Sequence, residues 1–521
     1  MVASQKYSSE QNNSSEAKEL SSNSFAKENK FYVTTPIYYV NDSPHIGHAY
    51  TTILADVLAR FHRNAGDQVF FLTGLDEHGQ KVKQAAEKRG LSPQAHADDL
   101  APRFTDLWKR LDIRYDDFVR TTQQRHKRVV QAALQKVYES GDIYIGEYEG
   151  SYSVAEERFI TKAEQESGRF RDVKALKEKN YFFKMGQYQK RLIEYIGAHP
   201  EFIQPEHRRN EMLGFLKQPL GDLCISRPKS RMDWGIEIPF DKDYVTYVWF
   251  DALINYISIP GYLSDETKFK KWWPADVHLI GKDILTTHCV YWPTMLFSLG
   301  LPLPKTIFAH GWWLIGQDKM SKSLGNVVNP LDLVEQYGID AVRYYLMREM
   351  ILGQDSNFTL DSFIKCYNSD LANDFGNLLN RVSGLIGKNH GGLIPERGVT
   401  LAENDIVGLA QTLPAHVYSM ASSFHVNEAI GSIMDFVKIL NKYMETQAPW
   451  KLAKTDIKSA ERVLGTAAWG LKLAATLLAP VMPFKCARVL DILSSPDGRI
   501  KTHPPLFPRI EVEKKNAHRN D

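Results

Sequence analysis

The strongest constraint on the fold is a strand–helix–strand pattern between residues 31 and 73. The segment 31–35 (FYVTT) is aromatic and β-branched, which predicts a buried strand. The run 69–73 (VFFLT) starts a second apolar strand. Between them, before Asn64 and Gly66, apolar residues recur at the three- and four-residue spacing of one helix face: Tyr50, Ile53, Leu54, Val57, Leu58 and Phe61. The chain therefore begins with an α/β unit.

Two imidazoles lie beside the predicted helix start, in the stretch His45-Ile46-Gly47-His48. A helix N-terminus presents unpaired N–H groups and a partial positive charge, so it binds phosphate readily. Gly47 has no Cβ, which allows a flat ring to approach the backbone closely. The alternative interpretation is that the histidines only cap and pack the helix.

A second polar stretch, Lys319-Met320-Ser321-Lys322-Ser323, lies between Gly316 and Gly325. Two lysines flanked by hydroxyls and glycines suit a loop that closes over a polyphosphate. A charge run of this kind is usually a solvated turn. Its occurrence together with His45 and His48 favours the phosphate-binding interpretation.

These two stretches resemble the HIGH and KMSKS signatures of the class I aminoacyl-tRNA synthetases, in that family's order and without a mismatch. The resemblance covers residues 31 to about 508, and the segments 35–41 (TPIYYVN) and 247–252 (YVWFDA) are similar to methionyl-tRNA synthetases in particular. The resemblance implies the α/β class: a doubly wound, parallel-sheet (Rossmann-like) catalytic domain split by a connective insertion. An α-helical anticodon-binding bundle would follow it.

The chain is long enough for several domains, since 521 residues exceed what one core organises. We expect a disordered tail at 1–26, the first catalytic half at 27–115 and the connective insertion at 116–240. The second catalytic half follows at 241–325, a stem-contact segment with the lysine loop at its start at 326–370, and the helical anticodon-binding domain at 371–521.

Composition restricts the partners and the compartment. The chain is 43% hydrophobic and 24% charged, with a net charge of +2, so a tRNA would be held by local basic and aromatic sites. The four cysteines are far apart and form no C-x-x-C, which indicates a reducing compartment and no cysteine-type zinc site. His78 near His45 and His48 could suggest a metal site, but no further ligand cluster follows at a usable spacing, so we expect no metal site and no structural zinc. We find no signal peptide and no membrane span, and expect a cytoplasmic monomer.

The reaction implied by the resemblance is that of a methionine–tRNA ligase. ATP activates L-methionine to methionyl-adenylate, and the methionyl group is then transferred to the 3′ end of tRNA(Met). By the same resemblance His45, His48, Lys319 and Lys322 are catalytic and contact the ATP phosphates, with Mg²⁺ accompanying the ATP. Gly47, Gly281 and Asp283 complete the expected ATP site.

The resemblance also assigns two further sites. The methionine pocket would consist of Asp76, which receives the ammonium group, and eight other residues: Ile37, Tyr39, Trp249, Ala252, Leu253, Tyr256, Ile284 and His288. The positions 249, 252, 253 and 256 also share one face of a predicted helix, which by itself indicates core packing as readily as a pocket. The tRNA anticodon would contact Asn377, Arg381, Pro449 and Trp450.

Three alternatives remain open at this point. The chain could be a class I synthetase for another amino acid, or a small-molecule nucleotidyltransferase with an H-x-G-H site, although the latter leaves the helical last third unexplained. A non-catalytic tRNA-binding relative would be expected to carry damaged signatures, and neither signature is damaged.

Overall fold

Six parallel strands form the sheet that positions the signature residues. The computed structural model describes residues 29–153, 158–160, 173–315, 318–319, 329–398 and 400–511. The sheet consists of β1 (Lys30–Tyr39), β2 (Gln68–Asp76), β3 (Asp117–Arg120), β7 (Ile203–Gln204), β12 (Val277–Gly281) and β13 (Thr306–His310). Their spatial order is β3-β2-β1-β12-β13-β7, and every neighbouring pair is parallel.

The predicted strand–helix–strand unit is confirmed, with longer elements than the sequence indicates. β1 continues to Tyr39, and helix α1 (Ile46–Asn64) begins directly within the signature. Ala65 closes the helix, and Gly66 turns the chain into β2 with a φ of 92°. That left-handed conformation is easily adopted by glycine alone.

The sheet is covered on both faces, as a doubly wound fold requires. Alternate residues of a strand point to opposite faces, so Val33, Phe71 and Leu279 belong to one core with helices α1 and α3 (Pro93–Arg110). Their neighbours Tyr32 and Ile280 belong to a second core with helix α4 (Gln124–Glu139). The Rossmann-like class predicted above is therefore confirmed.

The segment predicted as the connective insertion contributes strands to three sheets. β3 and β7 pair within the main parallel sheet, as described above. An antiparallel sheet is formed by β4 (Ile143–Ser153), β5 (Arg158–Ile160), β6 (Val173–Phe183) and β8 (Leu223–Cys224). A further antiparallel sheet consists of β9 (Ser226–Pro228), β10 (Glu237–Ile238) and β11 (Asp241–Thr246).

Shorter elements connect these sheets to the catalytic core. The remaining helices of the first 300 residues are α2 (Gln80–Lys88), α5 (Gln189–Ala198), α6 (Glu206–Phe215), α7 (Val248–Leu253), α8 (Asn255–Ser258), α9 (Glu266–Trp272) and α10 (Trp292–Leu299). Two 3₁₀ turns, Met185–Tyr188 and Lys282–Ile284, and a π-helical segment, Thr287–Tyr291, complete this part.

A small three-stranded sheet follows the main one. It contains β14 (Trp313–Ile315), β15 (Asp318–Lys319) and β16 (Ser356–Asn357), with β14 in the middle. Helices α11 (Pro330–Tyr337) and α12 (Ile339–Glu349) lie between β15 and β16 along the chain.

The last third of the described chain is helical, as predicted. It contains α13 (Leu360–Cys366), α14 (Asn377–Asn389), α15 (Leu401–Ser422), α16 (Val426–Gln447), α17 (Pro449–Thr455), α18 (Ile457–Leu478) and α19 (Pro483–Leu493). A π-helical segment, Tyr367–Gly376, joins α13 to α14. No helix in the described residues is long and apolar enough to cross a membrane.

A fully buried arginine joins the signature helix to the helical third. Arg343 on α12 donates to the Asp56 carboxylate of α1 at 2.6 Å. It also donates to the carbonyls of Leu111, Pro480 and Val481 at 3.0, 2.9 and 2.9 Å. Both partners of the ion pair have no exposed side-chain surface. Because each polar group is satisfied, the pair fixes α1 against the α18–α19 junction.

We expect Arg343→Met to destabilise the fold by about 3–5 kcal/mol, because it leaves the Asp56 charge buried without this partner. The matched control is Arg110→Met, which removes an exposed ion pair to Glu335 and should cost about 0–1 kcal/mol. Denaturant unfolding of both variants measures the difference. Equal shifts of the two unfolding midpoints would contradict this assignment.

Candidate active site

The two signature histidines form the cap of α1. The His45 Nδ1 atom accepts the Gly47 N–H at 3.1 Å, and the His48 Nδ1 atom accepts the His45 N–H at 3.2 Å. The two rings stack with centroids 3.9 Å apart. Since Nδ1 is the acceptor in both rings, a neutral imidazole here carries its proton on Nε2. Both histidines therefore cap the helix through Nδ1, and the proton of each neutral ring is on its other nitrogen.

Gly47 is required by this cap. A Cβ built at residue 47 would lie 2.9 Å from the His45 Cε1 atom, closer than real Cβ contacts. The first turn of α1 contains no acidic residue. Together with the helix dipole, this makes the helix start suitable for an anion.

His310 connects the helix start to the neighbouring strands. Its Nδ1 donates to the Gly311 carbonyl at 2.7 Å, and its Nε2 lies 2.8 Å from the Thr51 hydroxyl of α1. A Cβ at Gly281, the last residue of β12, would be 3.9 Å from the His310 ring. Burial lowers the pKa of His310. Sequence reasoning missed this residue, although it is the last residue of a strand, at the same edge of the sheet as the signature.

Asp283 lies at the same edge of the sheet, in the 3₁₀ turn after β12. Its carboxylate accepts the Trp312 indole N–H at 3.1 Å. The preceding Lys282 pairs with Asp355 at 2.6 Å and lies over the Trp312 ring. Asp283 is thus held in a fixed orientation beside Gly281.

The lysine stretch is described only in part. Lys319 belongs to β15, whose backbone pairs antiparallel with β14 at Leu314. Lys322 lies outside the described residues. β14 also pairs with β16, so the start of the lysine stretch is attached to a sheet and not to an isolated turn.

All nine residues predicted for the methionine pocket line one cavity. This cavity holds about 400 Å³ of space that includes its open mouth, and Pro36 and Asn255 complete its lining. Asp76 lies at its edge as the last residue of β2. The Tyr39 ring meets the Trp249 ring edge-on, with centroids 6.2 Å apart. The pocket is mostly apolar with few polar groups, as small-molecule sites usually are.

Hydrogen bonds fix the protonation of the pocket's polar end. The His288 Nδ1–H donates to the Ile284 carbonyl at 3.0 Å, so its Nε2 accepts from the Tyr256 hydroxyl at 2.8 Å. Burial lowers the pKa of His288 to about 4. The ring is therefore neutral at physiological pH, and this end of the cavity is polarizable but uncharged.

The predicted single helix over 249–256 is wrong in one respect. The chain forms two short helices, α7 and α8, on either side of Ile254. The Ile254 N–H bonds to the Asp251 carbonyl, three residues back, which tightens the turn there. Trp249, Ala252, Leu253 and Tyr256 nevertheless all face the cavity.

The four predicted anticodon residues lie on two neighbouring stretches of the bundle. α16 ends at Gln447, and Ala448, with a φ of 43°, turns the chain into α17 at Pro449. Trp450 is 38% exposed, and the Arg381 guanidinium lies 5.5 Å from its ring centroid. Asn377 is exposed one turn before Arg381 on α14. Trp450 is therefore not a core residue, and part of its ring is open to solvent.

The described residues contain no group of three or more His, Cys, Asp or Glu side chains that could hold a metal ion. The four cysteines are buried and unbridged. His78, which follows β2, has its Nδ1 atom 2.6 Å from the Asp251 carboxylate.

Comparison with known proteins agrees with this geometry. A family model described as tRNA synthetases class I (M) matches residues 31–168 and 167–383, and one described as anticodon binding domain of methionyl tRNA ligase matches residues 395–504. Methionine–tRNA ligases of Caldanaerobacter subterraneus and Clostridium acetobutylicum are each 45% identical, over 94% of this chain and 80% of theirs.

Solved structures give the same result. The Mycobacterium tuberculosis methionyl-tRNA synthetase in complex with methionyl-adenylate superposes with a TM-score of 0.88 and 37% identity, covering 92% of this chain and 100% of that one. Its apo form gives a TM-score of 0.82 at 33% identity, over 94% and 100% of the two chains. On the signatures, the fold and these matches, this chain belongs to the methionyl-tRNA synthetase family of class I aminoacyl-tRNA synthetases.

Proposed function

We propose that the cavity behind Tyr39 and Asp76 binds methionine. The observation that carries this proposal is that the nine residues assigned by the family resemblance all line one cavity. Asp76 supplies the carboxylate for the α-ammonium group. The thioether extends toward Tyr256 and His288, where an unbranched, polarizable chain packs well against aromatic rings.

The activity is that of a methionine–tRNA ligase, and the chain uses ATP to form methionyl-adenylate. Among the alternatives considered above, a synthetase for another amino acid and a small-molecule nucleotidyltransferase are thereby excluded. The helical last third is the anticodon-binding domain.

The ATP phosphates would bind at the start of α1. There the His45 and His48 Nε2–H groups and the helix dipole favour an anion. Gly281 and Asp283 would bind the nucleoside of ATP, and the Trp312 indole orients the Asp283 carboxylate. Lys319 and Lys322 are the cations for the β- and γ-phosphates. Mg²⁺ would accompany the ATP and would neutralise part of the charge on its phosphates.

The chemistry then requires positioning and charge stabilisation only. A methionine carboxylate oxygen attacks the α-phosphorus of ATP, the bond to the bridging oxygen breaks, and pyrophosphate leaves. A ribose hydroxyl at the tRNA 3′ end next attacks the methionyl carbonyl, and AMP leaves. The residues hold the reacting groups in line and stabilise negative charge as it develops.

Three expectations stay predictions. They are a monomeric state, a cytoplasmic location and a chain without structural zinc. The stem-contact role of residues 326–370 and the other domain limits are likewise proposals.

Asp76→Asn tests the pocket. Removing the carboxylate leaves the methionine ammonium without its partner in a desolvated site, which costs about 2–5 kcal/mol. Methionine KM in ATP–pyrophosphate exchange should therefore rise about thirtyfold or more, with ATP KM unchanged. In the unmodified enzyme, methionine should support exchange far better than leucine, isoleucine or cysteine. An unaltered methionine KM in the variant would contradict the pocket assignment.

Lys322→Ala tests the lysine stretch. Loss of a charge contact made mainly in the transition state should lower the exchange rate about a hundredfold or more. Methionine affinity, measured by equilibrium binding, should be unchanged. Lys305→Ala is the control, because Lys305 pairs with Asp276 at the amino edge of the sheet. A variant that lost methionine binding but kept its rate at saturating methionine would show a different role.

Trp450→Ala tests anticodon recognition. Stacking of a base on an exposed ring is worth about 1–3 kcal/mol, so tRNA affinity should fall about ten- to hundredfold. Exchange without tRNA should not change. Trp469→Ala is the matched control, because Trp469 also lies beneath an arginine, Arg397, in the same domain. Normal tRNA affinity in Trp450→Ala, or an equal loss in both variants, would refute the role.

A further inference from the structure

A buried carboxylate lies directly behind the cavity wall. Asp251 is on α7, between Trp249 and Ala252, and only 1% of its side-chain surface is exposed. It is absent from the cavity lining. Its Oδ2 atom lies 2.6 Å from the His78 Nδ1 atom, and its Oδ1 atom lies 2.8 Å from the His126 Nε2 atom.

This carboxylate connects three separate segments of the chain. His78 is two residues beyond Asp76, at the end of β2, and His126 is on α4. The His126 Nδ1 atom lies 2.9 Å from the Ser258 hydroxyl of α8, so the network returns to the helix pair that carries the pocket. Burial by itself raises the pKa of the Asp251 carboxyl, but the two histidines outweigh it and lower the pKa to about 2.

The turn that carries Asp76 is held from its other side as well. The Glu77 carboxylate, which is fully buried, accepts from the Arg120 guanidinium at 2.6 Å and from the Thr122 hydroxyl. The Trp234 indole N–H donates to the Glu77 carbonyl at 2.5 Å. Buried polar contacts therefore hold both residues that follow Asp76: Glu77 is held by β3 and the loop after it, and His78 is held by α7.

We propose that Asp251 is a positioning residue that fixes the distance between the ammonium-binding Asp76 and the thioether wall on α7, and so sets the length of amino acid accepted. The proposal rests on the methionine pocket described above. α7 and the β2 turn come from the two halves of the catalytic domain. Among the described contacts, the His78–Asp251 pair is the direct polar link between them behind the cavity.

Length selection needs such a fixed distance. A pocket distinguishes substrates that differ by one methylene only when its walls are rigid. The ratio of kcat/KM values that such a pocket can achieve is about 10–200. Ethionine is longer than methionine by one methylene, and its ammonium and carboxylate groups are identical. A loosened Asp251 link would allow α7 to move away from Asp76, so the longer analogue would fit and methionine would bind less tightly.

Asp251→Asn preserves the volume and removes the charge that holds both histidines. In ATP–pyrophosphate exchange we expect methionine KM to rise about tenfold, with ATP KM and kcat within about twofold, and the preference for methionine over ethionine to fall about tenfold. The matched control is Asp340→Asn, another buried carboxylate, which lies on α12 and accepts from the Lys485 backbone. Its kinetic constants should equal those of the unmodified enzyme.

A second variant tests the proposal if Asp251→Asn folds poorly. His78→Gln breaks the link to β2 alone, and we expect it to raise methionine KM and to weaken ethionine rejection in the same way. In the double variant the two effects should not add, because both remove one contact. A purely structural role would instead lower the melting temperature and the titrated fraction of active sites while methionine KM and ethionine rejection stayed unchanged. That result, or additive effects, would overturn the proposal.

Trp249→Ala separates this inference from the pocket assignment. If Trp249→Ala raises methionine KM and Asp251→Asn does not, the pocket stands and the positioning role of Asp251 is refuted. If neither variant changes methionine KM, methionine binds elsewhere and both proposals fail together.

Discussion

The site depends on the parallel pairing of β1 with β12. From β1 the strands continue through β2 to β3 in one direction, and from β12 to β13 in the other. Ligands of open α/β sheets bind beyond the carboxyl ends of the strands, where this order reverses. The groups placed there follow four adjacent strands: the His45 cap after β1, Asp76 on β2, Asp283 after β12 and His310 on β13. A shift in the register of this pairing would separate the residues proposed to bind the nucleotide from those proposed to bind the amino acid.

Local sequence patterns were sufficient to predict the secondary-structure elements, but not to show which residues meet in the pocket. Aromatic and β-branched apolar runs, helical periodicity and the Asn64–Gly66 stop predicted the β1–α1–β2 unit, because each signal lies within a few residues of the element that it specifies. The pocket residues come from strands, helices and turns of both catalytic halves. No periodicity relates Tyr39 to His288, so their convergence followed from the family resemblance and from the fold.

The contacts that sequence reasoning missed share a physical cause. His310 with Thr51, Asp283 with Trp312, and Asp251 with its two histidines are all polar pairs between segments remote in the chain. A buried polar group must find a partner, but nothing in its own neighbourhood says which one. The break between α7 and α8 was also missed. The apolar residues keep their helical spacing across the break, and the break is marked only by the hydrogen bond from the Ile254 N–H to the carbonyl three residues back.

The elements proposed to bind the two substrates differ in character, and this division fits the chemistry. The proposed methionine pocket is built on buried strands and helices joined by ion pairs, so it suits recognition of a fixed shape. The proposed phosphate groups are a helix start and a lysine stretch whose first residue belongs to a three-stranded sheet. Catalysis requires interactions that strengthen in the transition state, when charge moves onto the departing pyrophosphate. Cations on a stretch separate from the rigid pocket can respond to that charge without disturbing the bound amino acid, so selectivity and rate can be set independently.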